Sequence, residues 1–181
     1  MYIVCIRKDF YIEGMFQWPE GIDRPSVERF LDPCGGRPTL LSMQPSASRT
    51  WAAEMAKLLC DKREPLQRAW LFPVNTSEGR CSAKSDKCPC LLTRNEIWIT
   101  NRGRLLNVRE RCRLQGMNPD DLKQVVSEAQ WRKQLGNAMS VNVVERLLAR
   151  LLPAVGLTGA LPDRWASGTA AAELEATRAS A

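Results

Sequence analysis

The stretch Arg104-Leu105-Leu106-Asn107-Val108-Arg109-Glu110-Arg111-Cys112-Arg113-Leu114-Gln115-Gly116 decides how the rest of this sequence is read. Asn107 is a good helix N-cap, and Glu110 three residues on completes a capping box, in which each side chain satisfies an otherwise orphaned backbone N–H of the other. Gly116 suits the left-handed position that ends a helix. The device repeats downstream: Ser127 with Gln130 opens a second helix that ends near Gly136. Ser140 caps a third, whose apolar face is Val141, Val144, Leu148 and Leu151 before Pro153 stops it. Beyond it, Thr158 to Ala181 is Ala-rich and lightly charged, and its composition predicts a disordered extension.

Toward the N-terminus the pattern is different. Tyr2-Ile3-Val4-Cys5-Ile6 is an unbroken apolar run with β-branched residues, which predicts a strand buried on both faces. A polar turn at Arg7 to Asp9 leads to a second strand-like stretch from Phe10 to Trp18, ended by Pro19. Together they read as the edge of a sheet whose other members lie elsewhere. Pro25-Ser26 starts a short helix with Val27, Phe30 and Leu31 on one face. Asp32 to Ser48 is rich in Gly, Pro and Ser and reads as loop. Trp51, Met55, Leu58 and Leu59 recur at helical spacing over Thr50 to Cys60. Ala69 to Val74 and Ile97 to Thr100 are strand candidates on either side of a polar stretch, Thr76 to Pro89.

The bulk numbers restrict the class. With 181 residues, 44% hydrophobic and 25% charged, the chain has the balance of a globular protein. Its net charge of +6 favours a polyanionic partner such as nucleic acid. That excess does not come from the tail, where Asp163, Glu173 and Glu175 face Arg164 and Arg178. No stretch approaches the roughly 20 apolar residues of a membrane span, and the apolar start is too short for a secretory signal. Seven cysteines at irregular spacing suggest reduced thiols, hence a nucleus in a eukaryote or a cytoplasm in a bacterium rather than secretion. Histidine is absent altogether, which removes the commonest general base and zinc ligand.

The stretch from Arg104 to Gly116 resembles the ninth motif of the cytosine-5 DNA methyltransferases. Gln134-Leu135-Gly136-Asn137-Ala138-Met139-Ser140-Val141-Asn142-Val143 is similar to the family's tenth and last motif, and the spacing between the two also agrees. The opening, Met1 to Asp9 and then Phe16-Gln17-Trp18-Pro19, looks like the strand pair that follows the eighth motif. The resemblance implies an α/β fold: the C-terminal portion of a Rossmann-like, S-adenosylmethionine-dependent methyltransferase domain with an inserted mixed target-recognition region. On that basis residues 1–31 are terminal strands and a following helix, 32–103 the recognition region, 104–157 the ninth- and tenth-motif helices, and 158–181 the tail.

What the sequence lacks is equally informative. The family's glycine-rich first motif, its Pro-Cys-Gln nucleophile loop and its Glu-Asn-Val motif have no matching counterpart, and the resemblance implies that they lie upstream of where this chain begins. The family reaction needs a cysteine thiolate to attack C6 of a flipped cytosine and so activate C5 toward the methyl donor. Pro89-Cys90 imitates the nucleophile's first two residues, but Leu91 stands where Gln is required, and a structural thiol is the better reading. No catalytic residue is therefore assigned, and the chain is expected to be inactive alone. Three roles stay open: a piece of a methyltransferase, the natural subunit of a split enzyme whose partner is an N-terminal half, or a non-catalytic DNA-binding protein derived from the family.

The resemblance assigns Asn137, Ala138 and Val141 to the methionyl end of S-adenosylmethionine. The local reading allows this, because Gly136 permits close backbone approach and a helix N-terminus favours a carboxylate; equally, the corner simply ends one helix and starts the next. For double-stranded DNA, Arg80, Lys84 and Lys87 are candidate phosphate contacts. Arg94, Asn95, Trp98 and Arg102 are groove-facing candidates, since Arg reads guanine and Asn reads adenine edges bidentately. Against this, a charged loop is commonly only solvated, and Trp98 suits a core. Arg104 either pairs with Glu110 or contacts phosphate; Glu110 and Arg113 are expected to be structural. Cys81, Cys88 and Cys90, with Cys60 and Cys34 upstream, lack the paired knuckles of a zinc module, and no metal is assigned.

Overall fold

A computed structural model describes residues 2–33 and 45–178. Its centre is a four-stranded antiparallel sheet in the order β2-β1-β3-β4, formed by β1 (Trp70–Pro73), β2 (Lys84–Ser85), β3 (Ile97–Ile99) and β4 (Arg104–Leu105). Phe72 lies opposite Trp98, and Trp98 opposite Leu105. The sheet therefore crosses the expected boundary between residues 103 and 104.

Both faces of the sheet are covered, so β1 and β3 are apolar at every central position rather than alternating. Leu71, Ile97 and Ile99 face Val27, Leu31, Ala69 and Leu106. On the other face, Phe72, Val74 and Trp98 pack against Ala47 and Leu58 of α1 (Pro45–Cys60). Trp51 of that helix meets Trp98 edge-on, with ring centroids 6.0 Å apart. Trp98 is thus core, only 3% exposed, and is removed from the groove-facing candidates. Helix α1 also corrects the expected loop to Ser48. It begins at Pro45, a residue well suited to a helix's first turn because its missing N–H would have no partner there. The expected loop residues 34–44, Cys34 among them, lie outside the described residues.

Three of the expected helices form at the expected places: α2 (Val108–Leu114), α3 (Glu128–Asn137) and α4 (Val141–Ala154). Both capping boxes close, Asn107 with Glu110 and Ser127 with Gln130. Gly116 ends α2 at φ +81°, while its N–H and that of Met117 donate to the carbonyls of Arg113 and Cys112. Helix α4 runs through Pro153 and stops at Gly156, which adopts φ +71°. Pro25-Ser26 yields a 3-10 turn, Val27–Phe30, rather than an α-helix; Ser26 accepts from the Glu28 N–H.

Two expectations fail. Tyr2 to Ile6 and Phe10 to Trp18 form no strand: the segment has only a 3-10 turn at Lys8–Phe10 and a turn near Gly14. A strand needs a neighbour for its backbone groups, and the sheet is elsewhere. The segment instead runs along α4, where the Ile12 N–H donates to the Ala154 carbonyl and Arg146 to the Glu20 carbonyl. It leaves Ile3 80% and Trp18 55% exposed. Nor is the chain disordered from Thr158. Trp165 and α5 (Thr169–Ala176) fold back, so that Trp165, Ala170, Ala171 and Leu174 bury against Phe30. One indole and the spacing of Ala170, Ala171 and Leu174 on one helix face suffice to dock a segment whose average composition looks unfoldable. Among the described residues no helix is long and apolar enough to cross a membrane.

Candidate nucleic-acid interface

The segment Arg104 to Gly116 organises its surroundings through one buried carboxylate. Glu110 is fully buried and accepts from both terminal nitrogens of Arg104, at 2.8 and 2.7 Å, and from the backbone N–H groups of Asn107 and Asp32, at 2.9 and 2.8 Å. Asp32 in turn accepts from Asn107 Nδ2 and from the buried Arg113, which also donates to the carbonyls of Phe30 and Thr177. Arg102 pairs with Glu28 at 2.7 Å and donates to the Asp32 carbonyl. Glu110 and Arg113 are structural, as expected. Arg104 is an ion-pair partner of Glu110, and Arg102 of Glu28; neither reaches out as a free guanidinium.

Gln115 then fixes the corner between α3 and α4. Its Nε2 donates to the Leu135 carbonyl (2.9 Å), its Oε1 accepts from the Ser140 hydroxyl (3.0 Å), and its carbonyl accepts from the Val141 N–H (2.7 Å). Ser140 occupies the N-cap position, but its hydroxyl is turned to Gln115 and does not cap α4. The close approach permitted by Gly136 is taken by the protein itself: a Cβ there would lie 2.3 Å from the Thr93 nitrogen and 2.4 Å from the Leu92 carbonyl carbon. Gly116 is similarly closed, against the Asn142 backbone and the Trp165 ring. Asn137 and Ala138 thus form an outer corner, with Asn137 exposed and Val141 beginning α4. Neither glycine leaves a backbone cradle.

The other DNA candidates separate into two groups. Arg80, Lys84, Lys87 and Arg94 are exposed, Arg80 with its Nε donating to Ser77. Asn95, by contrast, turns inward: its Oδ1 accepts from the Leu92 N–H, its Nδ2 donates to the Cys90 carbonyl at 2.7 Å, and it is met from below by Arg111. Its amide holds the 90–95 turn. Sequence reasoning passed over Arg111 and Gln115, although both lie between Arg104 and Gly116; their roles depend on partners 16 and 25 residues away.

Among the described residues the cysteines do not assemble a metal site: no group of three or more His, Cys, Asp or Glu side chains there could hold an ion. Burial, reinforced at Cys81 by nearby Glu54, pushes the thiols of Cys81 and Cys88 up to about 12, and burial pushes Cys112 up to about 11. Such thiols stay protonated at neutral pH, the wrong form for a ligand or nucleophile. Cys90 is an exposed free thiol in the turn held by Asn95.

The C-5 cytosine-specific DNA methylase family model matches residues 46–152, from α1 to the end of α4. The chain belongs to this family. A search of curated proteins gives no match. As a member of a DNA cytosine methyltransferase family, the chain has a DNA methylation role in the transferase class. The family match stops before Trp165 and α5, so the folded segment that closes over Phe30 lies outside it.

Proposed function

We propose that this chain is the C-terminal, DNA-recognising part of a cytosine-5 DNA methyltransferase. Methyl transfer then requires a catalytic half that supplies the Pro-Cys-Gln and Glu-Asn-Val motifs. The reading rests above all on the Glu110 corner. It joins the β1–β4 sheet, at the position of the recognition region, to the helices whose sequences resemble the ninth and tenth motifs. In this arrangement the sheet and its exposed cations Arg80, Lys84, Lys87 and Arg94 meet duplex DNA. Arg102 and Arg104 contribute through their ion pairs rather than by contact.

S-adenosylmethionine, when bound, supplies the methyl group. Asn137, Ala138 and Val141 fit one edge of its site: the exposed Asn137 amide is positioned to hydrogen-bond a carboxylate or ammonium, and Gln115 keeps the corner in place. The remaining walls belong to the catalytic half, which is expected to carry the parallel Rossmann-like sheet. The apolar face made by α4 and the 2–24 segment, with Ile3, Trp18 and Leu148 exposed, is the surface on which that half would pack. Its exposure favours a complementing subunit over a free-standing DNA-binding protein. The compartment is then that of the genome, nucleus or cytoplasm.

Transfer of a labelled methyl group to mixed-sequence duplex DNA tests this, with the chain alone and with a family N-terminal half added in trans. Activity only in the mixture is the expected result. Activity of the lone chain would refute the missing-nucleophile account and direct attention to Cys90. Silence in both, with DNA binding intact, would leave a binding protein.

A further inference from the structure

One face of α3 carries Ala129, Arg132, Lys133 and Gly136, at the three-, four- and seven-residue spacings that align side chains along a helix. Gly136 pins that face to the backbone of Leu92 and Thr93. One turn and two turns earlier the helix and loop diverge, and an open cavity of about 350 Å³ lies between them, lined by Thr93, Arg94, Asn95, Glu96, Ala129, Arg132 and Lys133. The small Ala129 side chain leaves the room; three cations, Arg94, Arg132 and Lys133, and one carboxylate, Glu96, line it.

These cations differ from those around the Glu110 corner and the helix that follows it. Arg102, Arg104, Arg109 and Arg113 are each in contact with a carboxylate at 2.8 Å or less. Arg132 approaches Glu96 and Glu128 only at 3.9 Å and, among the described residues, donates no hydrogen bond. Arg94 and Lys133 form no side-chain hydrogen bond or ion pair there. Behind the loop stands a further cation, Arg111, 1% exposed. It donates to the Asn95 carbonyl at 2.7 Å, has no ion-pair partner among the described residues, and leaves its buried Nε–H without an acceptor. Burial pulls its ionisation below the usual range for arginine; the Arg132 charge adds to this, and the nearby Glu96 and Glu110 carboxylates oppose it. A buried guanidinium with no carboxylate in direct contact is costly, and its field is directed at the same turn.

We propose that Arg94, Arg132 and Lys133 form a seat for one phosphate of the DNA backbone, with buried Arg111 holding the Thr93–Asn95 turn and adding its charge from below. The seat rests on the DNA-binding reading above and extends it from the recognition region onto α3. It positions the duplex rather than reading its bases, since a phosphate carries no sequence information.

The test uses the full chain, a short labelled mixed-sequence duplex and a salt titration. In the Arg132→Gln/Lys133→Gln variant, binding is expected to weaken about tenfold, and the slope of log affinity against log salt to become shallower by about one, the signature of a lost phosphate contact. Arg150→Gln, an exposed charge on α4, should change neither. Wild-type affinity and slope in the double variant would overturn the seat while leaving DNA binding standing. If the wild-type chain binds no duplex, the DNA reading fails, and titration with inorganic phosphate decides the seat alone. Resonance shifts confined to Thr93–Asn95 and the Arg132 Nε–H would retain it for a free phosphate, and their absence would end it.

Discussion

The Glu110 corner and the N-terminal segment behave oppositely. At the corner every strong group has found its partner: one carboxylate serves a guanidinium and two backbone N–H groups, and a second carboxylate, Asp32, serves Arg113 and Asn107. Along residues 2–24 the backbone groups are mostly without regular partners, and large apolar side chains such as Ile3, Phe10 and Trp18 face outward. The comparison separates what this chain specifies by itself from what it leaves to another surface. The polar geometry around Glu110 and Asp32 is complete, whereas the apolar face is not.

The contrast can be broken most sharply at Glu110. Its replacement by Ala strands Arg104 and the N–H groups of Asp32 and Asn107, and should cost about 3–5 kcal/mol in urea denaturation. A loss below about 1 kcal/mol, the scale of an exposed ion pair, would mean that the corner does not bind the sheet to the helices. A smaller effect is expected at Gly136→Ala. Its new methyl group meets the Thr93 backbone, which cannot swing aside, so a loss of about 1–3 kcal/mol follows; unchanged stability would place the helix farther from the loop. The smallest effect belongs to the other region. Ile3→Ser should alter stability by less than about 0.5 kcal/mol while reducing binding of a hydrophobic dye. A loss well above that would show that the segment is packed in the isolated chain.

The same contrast explains what could be read in the sequence. The two capping boxes and the Gly116 stop were legible because each is settled within four residues, where backbone geometry leaves few choices. Strands β1 and β3 were legible as short apolar runs. The N-terminal run had the same composition and was misread, because hydrophobicity predicts burial but cannot supply a neighbouring strand. Asn95 looked like a base reader and proved to hold its own turn; nothing local distinguishes an amide facing water from one tied to the Cys90 carbonyl. The tail was misread in the other direction, its helix being fixed by Phe30 and Arg113, more than 60 residues earlier.

That tail has a consequence for the order of events at the ribosome. Arg29 pairs with Glu175 across 146 residues of sequence, and Arg113 donates to the Thr177 carbonyl. The sheet and α1 can assemble as soon as they emerge, but the face around Phe30 stays uncovered until nearly the whole stretch has been translated. Such long loops close slowly, and the exposed intermediate is the species open to chaperones or aggregation. A tag fused close behind Arg178 would therefore interfere less with the finished molecule than with the last step of making it.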